Sequence, residues 1–117
     1  MSGSSTSLRV FMSQEDVHYA GGLVAGARLL GLFGDAGTTL LLEGDGVEGL
    51  LACYEDVQFL RPVFAGDTVD VTAEIESSGN TSRRVRFEAS VGGEPVCTAL
   101  AVVIAKPLDR ALRRGGS

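Results

Sequence analysis

Residues 68–91 read TVDVTAEIESSGNTSRRVRFEASV, and apolar and polar side chains alternate there in two successive runs. A period of two is typical of β-strands that bury one face and expose the other to water. Gly79 and Asn80, between the runs, tolerate the positive φ angles of a hairpin turn. We therefore predict an antiparallel hairpin. Its inward-facing residues are Val69, Val71, Ala73 and Ile75 on one strand and Val85, Phe87, Ala89 and Val91 on the other.

A single helix is predicted ahead of these strands, over residues 19–33. Its larger apolar residues recur at steps of three and four, and Gly34 with Asp35 marks its end. An interior glycine costs about 1 kcal/mol relative to alanine. Close packing on the sheet, or close approach of the backbone to a ligand or a second helix, must offset that cost. The glycines concerned are Gly21, Gly22, Gly26 and Gly31.

Four further strands complete a predicted element order of β-α-β-β-β-β-β. The last of them is almost continuously apolar, which is typical of a central strand covered on both sides. One helix cannot cover a curved antiparallel sheet and also protect its edges, so we expect the sheet to wrap the helix and two protomers to pair. These four strands are predicted at residues 8–12, 38–42, 50–60 and 96–105.

Length and composition limit the classes of protein that this chain can form. The 117 residues have room for one domain, which we place at 8–108 between disordered tails at 1–7 and 109–117. A net charge of −5 repels polyphosphate, so nucleic acid is not an expected partner. No window approaches the ~18 apolar residues of a membrane span, and the first residues lack an apolar signal segment. We expect a cytoplasmic protein without a membrane partner.

The cysteines and the histidine argue against metal chemistry. Cys53 and Cys97 lie within apolar runs and are predicted to be buried and reduced. The sole histidine, His18, is far from both in sequence, so the chain lacks the ligand spacing of a zinc site.

Several short motifs occur in one order between residues 8 and 104. They are His18-Tyr19, Phe33-Gly34-Asp35, Asp45-Gly46, Glu48-Gly49-Leu50, Phe59-Leu60, Pro62-Val63, Ala65-Gly66-Asp67 and Gly79-Asn80-Thr81-Ser82-Arg83. In these motifs and their spacing the chain resembles the hotdog enzymes that deaminate β-aminoacyl-CoA, such as 3-aminobutyryl-CoA and β-alanyl-CoA ammonia lyases.

The resemblance implies an α+β hotdog fold, in which a five- to six-stranded antiparallel sheet wraps a long central helix. It implies a homodimer paired along sheet edges, with active sites between protomers, and trimers of dimers are common in the superfamily. It also implies a tunnel for the pantetheine arm of coenzyme A or of an acyl-carrier protein. Either would be the substrate's carrier, and no separate cofactor is expected.

The chain departs from the family pattern at three positions near the helix. Gly22 replaces an amide residue, Ala25 replaces an acid and Thr39 replaces a glutamate. The changes remove polar groups and imply a larger or more apolar pocket. Relatives in natural-product pathways join an amine such as glycine to a 2-enoyl thioester, and a smoothed pocket would suit that direction.

Adding or eliminating an amine at the β-carbon requires two devices. The first stabilises charge on the thioester oxygen, and we assign it to the backbone N–H groups of Gly21 and Gly22 at the predicted helix start. The second moves a proton at the α-carbon, and the imidazole of His18 suits that task at neutral pH. Asp16 matches an acid that many hotdog thioesterases use, and either acts itself or orients His18. A plain helix start and a packed or capping histidine are the alternative interpretations.

Further candidates lie on the strands. Tyr54 and Glu55 are neighbours and must point to opposite faces, so we assign Glu55 as a base and Tyr54 as pocket wall. A surface glutamate and a core tyrosine remain the alternative. Asn80, Ser82 and Arg83 follow the hairpin turn, and we assign them to the phosphates or pantetheine of the carrier. Ordinary turn chemistry would also explain them.

Two other functions are compatible with the sequence. A hotdog acyl-thioesterase would use Asp16 or Glu55 to activate water at the carbonyl. A non-catalytic dimer would bind acyl thioesters without turnover. The lyase chemistry is the function that the resemblance favours.

Overall fold

The computed structural model describes residues 5–106 and places one long helix against a five-stranded antiparallel sheet. The elements in chain order are β1 (Ser5–Phe11), β2 (Val17–Tyr19), β3 (Leu23–Val24), α1 (Gly26–Asp45), β4 (Leu50–Phe59), β5 (Thr68–Ser78), β6 (Ser82–Val91) and β7 (Glu94–Ile104). The main sheet has the order β1-β5-β6-β7-β4, and β2 and β3 form a separate ribbon. This arrangement confirms the predicted α+β hotdog fold.

The hairpin of β5 and β6 forms as predicted, with residues of the predicted inward faces opposite one another. Val71 lies opposite Ala89 and Ala73 opposite Phe87, and all four side chains are buried beneath α1 or within the core. Phe87 stacks on Phe33 of the helix with ring centroids 5.0 Å apart. β7 lies between β6 and β4, as its apolar sequence predicts for a central strand.

The helix is displaced from its predicted position. It begins at Gly26, seven residues later than predicted, because Gly21 and Gly22 both have φ of +80° and a left-handed pair cannot continue a helix. It then passes through Gly34 and Asp35, so the predicted strand at 38–42 is wrong. The buried residues continue at helical spacing to the end of α1: Leu29, Leu32, Phe33, Ala36, Gly37, Leu40 and Leu41.

Two helix glycines permit close packing on the sheet. A Cβ at Gly26 would lie 2.7 Å from the ring of Phe59, and one at Gly37 would lie 3.2 Å from the ring of Phe87. Gly31 faces open space, with no atom within 4 Å of such a Cβ. Packing of aromatic rings on the helix backbone therefore accounts for Gly26 and Gly37.

The first strand begins earlier than predicted. β1 starts at Ser5 and pairs with β5 along its whole length, so residues 5–7 belong to the sheet and not to a tail. The rest of the predicted tails, residues 1–4 and 109–117, lies outside the described residues. Within residues 5–106, no helix is long and apolar enough to cross a membrane.

Candidate functional site

The connection from β1 to α1 carries most of the predicted site residues. It is held by backbone hydrogen bonds to the segment before β5. The amide of Val24 donates to the carbonyl of Val63 at 2.8 Å, and the amide of Ala65 donates to the carbonyl of Gly22 at 2.9 Å. The connection therefore has a defined backbone path beside the start of the helix.

Gly21 and Gly22 do not form the start of the helix, which corrects the prediction. They lie in a 3-10 turn between β2 and β3, and α1 begins four residues after Gly22. The N-cap of α1 is Ala25, which has no side-chain oxygen to accept from the first turn. The unpaired donors at a helix start therefore belong to Gly26 and Ala27.

Asp16 is fully engaged as a carboxylate. Its Oδ2 accepts from the backbone N–H of Ser13 at 2.8 Å, which forms part of a capping box, and its Oδ1 accepts from Nε of Arg28 at 2.8 Å. The hydrogen bond from Arg28, with that from Ser13, lowers the pKa of Asp16 below its ordinary value. Asp16 therefore remains ionised at neutral pH and orients Arg28, not His18 as one prediction had it.

His18 lies on β2 with its side chain exposed. Its ring meets that of Tyr19 edge to face, with centroids 4.8 Å apart. Within residues 5–106 no side chain forms a hydrogen bond or ion pair with the imidazole. The ring is therefore accessible to solvent, and its role in moving a proton stays a prediction.

Tyr54 and Glu55 point to opposite faces of the sheet, as predicted. Tyr54 is half-buried beneath α1, where its hydroxyl donates to the carbonyl of Leu30 at 2.6 Å, and burial raises its pKa. Glu55 lies on the outer face and accepts from Arg84 at 2.8 Å. Glu55 is therefore separated from the helix by the sheet, and its role as a base stays a prediction.

The hairpin residues have mainly structural contacts. Arg83 donates to both carboxylate oxygens of Asp45, at 2.8 and 3.2 Å, and also to the carbonyl oxygens of Gly79 and Ser82. These bonds tie the end of α1 to the β5–β6 hairpin. Asn80 is exposed at the turn, and carrier binding by Asn80, Ser82 and Arg83 stays a prediction.

The two cysteines differ in environment. Cys97 is buried, as predicted, and burial raises the pKa of its thiol to about 11. Cys53 is exposed, contrary to prediction, because β4 is an edge strand and Cys53 pairs with Val102 on the outward side. Among residues 5–106, no group of three or more His, Cys, Asp and Glu side chains is arranged to hold a metal.

Sequence reasoning missed one charged residue near the site and one small cavity. Arg28 lies in the first turn of α1, and its partner Asp16 is twelve residues earlier. The only sequence signal for Arg28 is a lone cation among small and apolar residues. The cavity lies between α1 and β4, measures about 30 Å³ and includes Phe33, Gly34, Gly37 and Leu51 in its wall.

The fold and site define a member of a known class. The thioesterase superfamily matches residues 21–98, more than half of the chain, and the chain belongs to this superfamily. It is 55% identical to 3-aminobutyryl-CoA ammonia lyase of Acetoanaerobium sticklandii over 82 residues, which are 70% of this chain and 65% of that relative's length.

Solved structures give the same picture. β-Alanyl-CoA:ammonia lyase from Clostridium propionicum superposes with a TM-score of 0.83 at 28% identity and covers 97% of each chain. An acyl-CoA hydrolase from Staphylococcus aureus, solved with butyryl coenzyme A, superposes with a TM-score of 0.78 at 16% identity, over 92% of this chain and 65% of that one. The second similarity shows the fold alone.

Proposed function

We propose that the chain is a lyase that eliminates an amine from a β-aminoacyl-CoA and, in reverse, adds an amine to a 2-enoyl thioester. The observation that carries this proposal is the 55% identity to 3-aminobutyryl-CoA ammonia lyase over 82 residues, 70% of this chain. The high TM-score with β-alanyl-CoA:ammonia lyase supports the same chemistry.

The reaction needs stabilisation of the thioester oxygen and proton transfer at the α-carbon, and we assign each function to residues of this site. The unpaired N–H groups of Gly26 and Ala27 stabilise the charge that develops on the thioester oxygen, because a helix start presents donors and a positive dipole. His18 moves the proton at the α-carbon. Gly21 and Gly22 form the turn between β2, which carries His18, and β3, which leads into α1.

The homodimer is part of the proposal. β4 pairs on one side with β7, and no other strand within residues 5–106 pairs with its second edge. Exposed apolar side chains lie on or directly after this strand, including Leu50, Leu51, Phe59 and Leu60. Pairing of two β4 edges would cover them and would place the start of α1 near the partner. Trimers of such dimers are a further expected assembly.

We propose glycine as well as ammonia as the amine, because Gly22, Ala25 and Thr39 leave the region around the helix less polar than in the family pattern. An acyl-carrier protein is proposed beside coenzyme A as the carrier of the acyl group.

Product analysis tests the proposed reaction. The protein is incubated with a 2-enoyl-CoA and either ammonia or glycine, and the products are identified by mass. A β-amino thioester supports the proposal. Free acid with free thiol would instead identify a thioesterase, and binding without any product would identify a non-catalytic dimer.

Replacement of His18 tests its role in the same assay. His18→Gln should lower kcat by at least about a hundredfold, since general acid–base catalysis typically contributes that much. Gln14→Ala, an exposed change in the same connection, is the matched control and should retain activity. Equal activity of the two variants would exclude His18 as the proton carrier.

A further inference from the structure

Arg28 has an electrostatically unfavourable position that needs an explanation. It lies in the first turn of α1, where the helix dipole is positive and where no acidic residue of the helix offsets it. A cation at this end of a helix is destabilising, whereas an anion is stabilising. Among residues 5–106, the ion-pair partner of Arg28 is Asp16 from the preceding connection, which is 2.8 Å from Nε.

The bond to Asp16 leaves a defined part of the guanidinium unused. Oδ1 of Asp16 binds Nε of Arg28, and Oδ2 is occupied by the N–H and hydroxyl of Ser13. Among residues 5–106, Nη1 and Nη2 of Arg28 have no hydrogen-bond acceptor. The side chain is 38% exposed, so solutes can reach these two nitrogens.

The free edge of the guanidinium matches a bidentate oxyanion. Nη1 and Nη2 form a planar fork of N–H donors, the arrangement that binds carboxylate and phosphate groups with two parallel hydrogen bonds. Fixation of Nε by Asp16 orients this fork in advance, which reduces the entropy lost on binding. Asp16 therefore fixes the orientation of the Arg28 guanidinium and leaves two of its nitrogens able to bind an anion.

We propose that Arg28 binds the carboxylate of an amino-acid amine donor and that Asp16 is its positioning residue. The inference rests on the proposed function, which places the thioester oxygen at the start of α1. The amine must then lie within a few ångströms of the same helix turn, together with any carboxylate that it carries. The phosphates of coenzyme A lie at the other end of the long pantetheine arm, so they are the less suitable anion.

The reaction balances without a further reactant. The nitrogen lone pair of the amino acid forms a bond to the β-carbon, and the C=C π electrons move to the α-carbon and thioester oxygen. A proton then bonds to the α-carbon, and the nitrogen loses one proton. Arg28 holds the donor's carboxylate throughout and exchanges no proton, because a guanidinium stays charged.

The test compares amine donors in Arg28→Met and Arg28→Lys. With a 2-enoyl-CoA and glycine, Arg28→Met should raise the KM for glycine by about tenfold or more, as expected for loss of charged hydrogen bonds. Its KM for ammonia and for glycinamide, which lack a carboxylate, should stay within about twofold of the wild-type value. Arg28→Lys should give an intermediate KM for glycine, since it keeps the charge but loses the fork.

Controls separate binding from folding. Arg86→Met, on the outer face of the sheet, should leave all three donors unaffected. Asp16→Asn should raise the KM for glycine more than that for ammonia, and Asp16→Glu should recover part of the loss. A merely structural role would change all donors alike.

Each contrary result has a distinct meaning. A wild-type protein that is inactive with ammonia, glycine and glycinamide alike would overturn the proposed function and this inference with it. If the wild-type protein is active and Arg28→Met raises the KM for all three donors equally, the inference alone would be overturned. The inference would also be overturned if Arg28→Met raised the KM for glycine with the 2-enoyl-CoA but not with the 2-enoyl pantetheine thioester. Arg28 would then bind a phosphate of coenzyme A and not the carboxylate of glycine.

Discussion

Gly31 and Gly37 lie on different sides of α1 and have opposite requirements. Gly31 faces open space, whereas Gly37 is buried against the ring of Phe87. Phe87 is itself stacked on Phe33, so its ring has little freedom to move away. The two positions separate the intrinsic cost of glycine in a helix from its packing role.

Alanine at each position should therefore change stability in opposite directions. Gly31→Ala should raise the free energy of unfolding by about 0.5–1 kcal/mol, because alanine is the better helix former. Gly37→Ala should lower it by about 1 kcal/mol or more, since overpacking outweighs that gain. Urea denaturation of both variants measures the difference. Equal stabilisation by both substitutions would contradict the packing role of Gly37.

At the scale of elements, an ion pair at each end of α1 connects the helix to another part of the described chain. Asp16 holds Arg28 at the start, and Arg83 holds Asp45 at the end. The second pair is bidentate, with side chains only 16% and 24% exposed, so solvent screens it less than the ion pairs on the outer face.

Loss of the pair at the helix end should weaken the whole domain. Arg83→Met should lower the free energy of unfolding by about 1–2 kcal/mol, because Asp45 and two carbonyl oxygens lose their donor. Arg86→Met, which breaks a more exposed pair with Glu76, should cost less than about 0.5 kcal/mol. Thermal or urea unfolding of the two variants makes the comparison. If both variants lowered the free energy of unfolding by a similar amount, the bidentate pair would contribute no more to stability than the exposed pair.

Sequence patterns predicted the sheet better than the helix. The β5–β6 hairpin was predicted correctly because its alternation extends over two whole strands. The helix was misplaced because Gly34 and Asp35 resemble a helix end, while the small residues Ala36 and Gly37 conceal the continuing period. Gly21 and Gly22 were placed at the start of the helix, although a glycine pair is typical of a turn with positive φ, and that is the geometry they have.

The candidate site was predictable only in part, for a different reason. The opposite orientation of Tyr54 and Glu55 follows from the period of a strand, and the sequence predicted it. The contact of Asp16 with Arg28 joins residues twelve apart, and that of Arg83 with Asp45 joins residues 38 apart. Such contacts depend on how the chain folds back, which local spacing does not reveal.

At the scale of the whole molecule, the proposed dimer depends on the free edge of β4. The wild-type protein should have a solution mass of twice the 12.2 kDa chain, or a multiple of that, by light scattering. Leu51→Lys should shift it toward the monomer, because a buried cation at the paired edges would be costly. Thr72→Lys, on the exposed face of β5, is the matched control and should stay dimeric.

A concurrent loss of activity would support active sites between protomers. Leu51→Lys should then be both monomeric and inactive as a lyase, whereas Thr72→Lys should remain dimeric and active. A monomeric wild-type protein with full activity would contradict the proposed assembly.

Dilution should promote aggregation of this protein, because separation of the protomers would expose the ten residues of β4. A separated protomer would offer an uncovered row of backbone donors and acceptors next to apolar side chains, which is a template for any extended peptide. Fibril formation should therefore begin more readily at low protein concentration, where the dimer dissociates. At high concentration the protomers stay paired, and fibril formation should be suppressed.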